Sequence, residues 1–319
     1  MLHPFCCLLV ILPMKNLLFL LIIAQTQLFA QPEVAFMLND SGLIPEGLTY
    51  NPLEKAFFIG SINKHKILKI FDDGRVVDFA SPRQDGLGEV LGLKVDSSNQ
   101  HLWVCSNEIQ DGVAVRSMIH QYSLEDYKLI QKFQLNEKGH LFNDIDVAAG
   151  QVFITDSDAN SIYQVSHENG LQLFLKDERL RFCNGLAFNS NARKLFVSSF
   201  TGLYSLDIKT KKLDRLHLTG YHLFGVDGLY LFKNSLVGIQ NTSFPESVNQ
   251  YLFNEKQDGF SSARTLVAAD HRFDVPTTGA IADGWFYFIA NSQMGNFENG
   301  TIKDLSKLKE VVILKVKLR

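Results

Sequence analysis

From residue 32 onward, short apolar runs alternate with polar turns, and long helical periodicity is nearly absent. Runs such as AFFIGS (56–61), HLWVCSN (101–107), QVFITDS (151–157) and WFYFIANS (285–292) are rich in β-branched and aromatic residues. Gly, Asn, Asp and Ser punctuate them, as an all-β chain requires. Each strong run follows a similar unit: one residue, then usually Gly, then an apolar strand and a polar turn. The six copies start at Glu46-Gly47-Leu48, Leu91-Gly92-Leu93, Asn143-Asp144-Ile145, Asn184-Gly185-Leu186, Asp227-Gly228-Leu229 and Thr278-Gly279-Ala280. Their middle residues are spaced by 45, 52, 41, 43 and 51 positions.

A period of this length with about four short strands per unit predicts an all-β, six-bladed β-propeller. Further strands fit between the anchors at KILKIF (66–71), MIHQYSL (118–124), SIYQVS (161–166), GLYSLDI (202–208) and VVILKVKL (311–318). The sixth unit is one strand short, and PEVAFML (32–38) is available to supply it. The expectation is therefore an N-terminal strand that closes the last blade and removes its free edge. A two-sheet sandwich competes as an all-β arrangement but gives no reason for six similar units.

The first thirty residues have a different character. Lys15 precedes the apolar run Leu17–Ala24, and Ala30 ends the segment, which reads as a signal peptide. Met14 is an alternative start. An uncleaved membrane anchor is the competing reading, which Pro13 and Lys15 interrupt. The expected organisation is a leader over 1–30 and a single propeller domain over 31–319, exported to a periplasmic or extracellular space.

The net charge of −3 gives no support to a nucleic-acid or anionic-membrane partner. No obligatory protein partner is expected either. Cys105 and Cys183 remain outside the leader and read as buried thiols rather than a disulfide. Asn39, Asn241 and Asn299 head N-x-S/T sequons, relevant only in a glycosylating host.

In a propeller, equivalent residues of successive blades circle the central channel. The residue before each glycine position gives a ring of Glu46, Leu91, Asn143, Asn184, Asp227 and Thr278. Four of the six carry carboxylate or amide oxygens, with no basic partner in the set. Convergent buried carboxylates repel each other unless a cation offsets them. Oxygen donors without His or Cys point to a hard ion: Ca2+ first, with Mg2+, Mn2+ and Zn2+ as further candidates. Asn-Gly and Asp-Gly are also common turn pairs. A turn reading does not account for their recurrence at equivalent positions, nor for Glu46-Gly47.

Together, PEGLTYNP, FNDIDVAAGQVFITDS, CNGLAFNSNARKLFVSS and GVDGLYL resemble the senescence-marker-protein/gluconolactonase/luciferin-regenerating-enzyme family, itself similar to the paraoxonases. The resemblance spans roughly residues 40–318. It implies a six-bladed propeller with one divalent metal at the channel mouth, and a lactonase activity. It implies Glu46, Asn184 and Asp227 as side-chain metal ligands, and Asn143 as a residue that contacts substrate or metal. Asp144 matches an Asp that helps hold a second, buried calcium in paraoxonases. Gly47 stands where those enzymes have another acidic ligand, so the second ion does not carry over. Leu141 stands where sugar-binding members have Arg, which favours a more apolar substrate. Phe142, Phe182 and Phe224 are candidates to line the mouth.

The expected activity is metal-dependent hydrolysis of a cyclic ester, with a small-molecule lactone or ester as substrate. Asp227 is the first candidate for general base, with Asn143 beside it in the catalytic set. Asn143, Asp144, His140 and His222 are candidates to contact substrate, and either histidine is a further candidate base. His65, His101 and His120 fall on presumed outer strands or turns. No G-x-S-x-G, H-E-x-x-H, Walker loop or CxxC is present. The alternative is a secreted, non-catalytic calcium-binding propeller that binds a ligand or protein. Aryl ester or phosphoester hydrolysis at the same metal is a third option.

Overall fold

The computed structural model describes residues 31–166 and 168–319; the expected leader lies outside them. Six four-stranded antiparallel sheets form a six-bladed β-propeller. Blade 1 runs outward from the axis through Pro45–Asn51, Ala56–Ser61, Ile67–Phe71 and Val76–Ala80. Blades 2 to 5 repeat that order along the chain. Blade 6 is built from Gly279–Ala282, Trp285–Ile289, Val311–Lys317 and, outermost, Glu33–Leu38. The N-terminal strand pairs with Val311–Lys317 from Glu33↔Lys315 to Leu38↔Val311, so the last blade is closed by both ends of the chain.

The core is divided into layers between neighbouring blades. Between blades 1 and 2, Phe58, Val90, Leu93, Val104 and Tyr122 pack together. Similar clusters lie at the other interfaces, including Phe153, Leu186 and Val197 between blades 3 and 4. Fully burying one such side chain is worth roughly 1.5–3 kcal/mol, which explains the alternating apolar runs that define the repeat.

Two features near the axis bear on function. First, the innermost strands of blades 1, 2, 3 and 5 shift register at the repeat triplet: between Pro45 and Leu48, Val90 and Leu93, Phe142 and Ile145, and Val226 and Leu229. Such bulges re-aim side chains, and here they fall on Glu46, Leu91, Asn143 and Asp227. Second, adjacent blades approach backbone to backbone at the glycines. A Cβ on Gly47 would lie 2.0 Å from the Leu91 carbonyl oxygen, and one on Gly185 2.2 Å from that of Asp227. The Gly185 N–H instead donates to the Asp227 carbonyl at 3.0 Å.

Innermost strands have unpaired backbone groups facing the channel, and side chains of the preceding blade satisfy several of them. Thr49 Oγ1 accepts from the Val95 N–H at 3.1 Å, and Tyr230 Oη from that of Gly279 at 2.6 Å. Asp144 and Asp146 accept from the N–H groups of Leu186 and Phe188 at 3.2 and 2.7 Å. Lys94 pairs with Asp146 at 2.7 Å, so one carboxylate links blades 2, 3 and 4.

Candidate functional site

Four side-chain oxygens near the start of the innermost strands are buried without a hydrogen-bond partner: Glu46 Oε2, Asn143 Oδ1, Asn184 Oδ1 and Asp227 Oδ1. They belong to the four ring members with a carboxylate or amide side chain. Leaving a buried acceptor unsatisfied costs about 1–3 kcal/mol, more when it is charged, and these four orphans stand at equivalent positions of one channel, an arrangement that fits a bound cation. Lys94, a basic side chain on the channel wall, is paired with Asp146.

The surrounding bonds fix how these groups point. Asn143 Nδ2 donates to Ser157 Oγ at 2.9 Å, and Ser157 Oγ donates to the Cys183 carbonyl at 2.6 Å. Because the serine hydrogen is used, Ser157 must accept from Asn143, which turns the Asn143 oxygen away from it. Asn241 Nδ2 donates to Asp227 Oδ2 at 2.5 Å and to the Pro276 carbonyl at 3.0 Å. That holds one oxygen of Asp227 and leaves Oδ1 free. The Glu46 carbonyl accepts from Thr277 Oγ1 at 3.1 Å and from Thr278 Oγ1. The Asn184 carbonyl accepts from Thr155 Oγ1 at 2.7 Å.

Electrostatics agree with the orphaned atoms. Burial pushes Glu46 well above the usual carboxylate range, and Asp227 and Asp144 push it further. Burial raises Asp227 to about 7, opposed by the bond from Asn241 and the nearby Asn184 amide and aided by the Asp144 charge. Asp144 is also raised to about 7, by burial and by Asp146, against the Ile145 and Leu186 N–H groups and Lys94. Negative charge is thus disfavoured here in the absence of a cation. Two carboxylates and two amides make a donor set for a hard ion; among the described residues no group of three or more His, Cys, Asp or Glu gathers as a metal site.

Asp144 sits one residue beyond the ring on the channel wall. Below the ring, Asp144, Asp146, Lys94 and Thr49 border a cavity of about 280 Å³. His140 Nδ1 meets the buried Asp156 carboxylate at 2.6 Å, and its ring stands edge-on to Tyr163, in the third strand of blade 3, at 6.0 Å. Those contacts lead outward from the ring. His222 is exposed, with its ring 5.7 Å from that of Phe224. Neither histidine joins Glu46, Asn143, Asn184 and Asp227. Phe142 is fully buried in the layer between blades 2 and 3, whereas Phe182 and Phe224 are exposed. Cys105 and Cys183 are buried and free.

No protein-family model matches the chain, and no curated protein matches it. Solved structures do. A gluconolactonase from Xanthomonas campestris is 14% identical, with a TM-score of 0.60 over 91% of this chain and 97% of that one. A luciferin-regenerating enzyme is 12% identical, with a TM-score of 0.58 over 90% and 95%. The Malassezia sympodialis allergen Mala s 1 is 13% identical, with a TM-score of 0.67 over 89% and 96%. At these identities the likeness establishes the fold. Several of the similar propellers are enzymes, but the chemistry at this mouth rests on its own residues.

The residues that support the ring were not singled out in the sequence. Ser157 and Asn241 close the second strands QVFITDS and SLVGIQN. The signal was available, because the two strings end at equivalent places of their repeats. Asn241 heads a sequon, yet its nitrogen is engaged by Asp227 and Pro276.

Proposed function

We propose that this chain is a metal-dependent hydrolase that opens a lactone or related ester at a divalent cation, Ca2+ first, held by Glu46, Asn143, Asn184 and Asp227. The observation that carries the reading is the set of four orphaned, buried oxygens at the channel mouth. A cation bound there would supply electrophilic stabilisation for negative charge developing on the carbonyl oxygen. The chain's residues supply the rest. Asp227 is the general base: Asn241 orients its carboxylate, and a cation bound beside it would keep that carboxylate ionised at neutral pH, ready to take a proton from water. Asn143, fixed through Ser157, presents its amide oxygen to the same space. The leader expected at 1–30 would place this chemistry outside the cytoplasm.

The test is a panel of lactones, aryl esters and phosphotriesters, assayed with Ca2+, after chelation, and in Asp227→Ala with its folding verified by circular dichroism. Lactone turnover that needs both the metal and Asp227 supports the proposal. A folded, calcium-loaded protein inert on the whole panel would instead be a non-catalytic calcium-binding propeller.

A further inference from the structure

The mouth of the propeller is not uniformly polar. Phe182, two residues before Asn184, is 54% exposed, and Phe200, just beyond the second strand of the same blade, is 61% exposed. Isolated exposed phenylalanines are ordinary; these two form an edge-to-face pair with centroids 6.5 Å apart. The Arg181 guanidinium lies 5.7 and 5.9 Å from the two ring centroids.

The pair is exposed but its backbone is held. The Phe200 N–H donates to the Arg181 carbonyl at 3.0 Å. Ser199 Oγ bonds the carbonyls of Arg179 and Arg181 at 2.9 Å each, and Thr201 Oγ1 bonds that of Arg179 at 3.0 Å. Phe182 itself has φ 46°, a left-handed conformation uncommon for a bulky residue and often kept for a functional reason. The next residue, Cys183, accepts the Ser157 hydroxyl that also orients Asn143. The aromatic pair is thus tied by short links to two residues of the oxygen ring. Phe224, three residues before Asp227, and Phe244, three beyond Asn241, are exposed around the same mouth.

We propose that the Phe182–Phe200 pair, edged by Arg181, is a specificity subsite that receives an apolar substituent, aryl or alkyl, on the substrate ring. This rests on the lactone reading and adds the substrate class: a lactone with a hydrophobic side group rather than a polyhydroxylated one. An aromatic ledge at the mouth, its backbone held in place, rewards an apolar group that leaves water, and offers few partners for sugar hydroxyls.

The experiment compares a phenyl-substituted δ-lactone with unsubstituted δ-valerolactone in the calcium-loaded wild type, in Phe182→Ala/Phe200→Ala, and in Leu173→Ala, which removes an exposed apolar residue on the outer strand of blade 3. In parallel, calorimetry measures binding of the corresponding phenyl-substituted and unsubstituted δ-lactams. The expected result is a wild-type preference for the phenyl compounds of about tenfold or more, the scale of a good aromatic contact. The double variant should lose most of that ratio through KM, and Leu173→Ala should keep it. No wild-type preference, or an equal preference in the double variant, overturns the subsite. If neither lactone is hydrolysed, the hydrolase reading falls, and the lactam affinities still decide the subsite.

Discussion

Asp227→Asn separates the cost of a buried charge from the contacts around it. Asp227 is buried, Oδ2 accepts from Asn241 at 2.5 Å, and Oδ1 has no partner. Burial raises its pKa from 3.8 to about 7. A carboxylate raised in this way contributes stability below its unfolded value, near 3.8, and loses it as pH rises through about 7. At 1.36 kcal/mol per unit, the loss above pH 7 is on the order of 4 kcal/mol, and water entry and relaxation reduce it to roughly 2–4 kcal/mol. Asparagine has the same shape, still accepts from Asn241 and carries no charge. In chelator at pH 8, Asp227→Asn should therefore unfold later in urea than the wild type, and the gap should shrink at pH 5. With saturating Ca2+ the order should reverse, since only the wild type keeps both carboxylate ligands. Urea unfolding at the two pH values, with EDTA and with Ca2+, reads all four cases. A variant less stable than wild type in EDTA at pH 8, or one stabilised equally by Ca2+, would mean that the buried charge of Asp227 is not what destabilises the metal-free protein.

Three further outcomes follow from other parts of the structure. Ser157→Ala removes the bond that turns the Asn143 oxygen into the channel, so Ca2+ affinity measured by calorimetry should fall about 10–100-fold, as for other groups that orient metal ligands; unchanged affinity would separate Asn143 from the site. Gly185→Ala places a methyl 2.2 Å from the Asp227 carbonyl oxygen and should cost at least 1–3 kcal/mol in urea unfolding, the usual scale of overpacking; a cost under about 0.5 kcal/mol would mean the blades do not meet there as described. Glu89 is raised from 4.5 to about 7 by burial, so its contribution to stability is full below pH 4.5 and lost as pH rises through about 7. Glu89→Gln should flatten that part of the stability–pH profile, and an unchanged profile would contradict it.

The architecture was legible because its cause is periodic. Each blade buries its strands against the next blade, so the apolar run and the triplet recur every 41–52 residues and expose the repeat. The strand before the first repeat was likewise readable as the missing edge of the sixth blade. The oxygen-bearing ring was legible for the same reason, as one position sampled six times. The supporting shell was harder. Ser157 and Asn241 look like turn residues, and only three dimensions show that they brace Asn143 and Asp227. Asp144 was readable as a candidate to contact substrate. In the fold it, with Asp146, also satisfies the exposed backbone of blade 4, a role that depends on which strand edge faces the channel. The histidines show the opposite limit. His140 lies three residues from Asn143 in the chain, but its ring leans outward to Asp156 and Tyr163. Closeness in sequence to a ring position says little about side-chain direction.

Whether Glu46, Asn143, Asn184 and Asp227 hold one cation is decided by calcium titration of chelator-treated protein in a calorimeter. The wild type should bind one Ca2+ per chain, with release of protons near pH 7, and both Glu46→Gln and Asn184→Ala should lose that binding while the proteins stay folded. No binding of any divalent ion by the wild type, or full binding by both variants, would contradict a shared cation site.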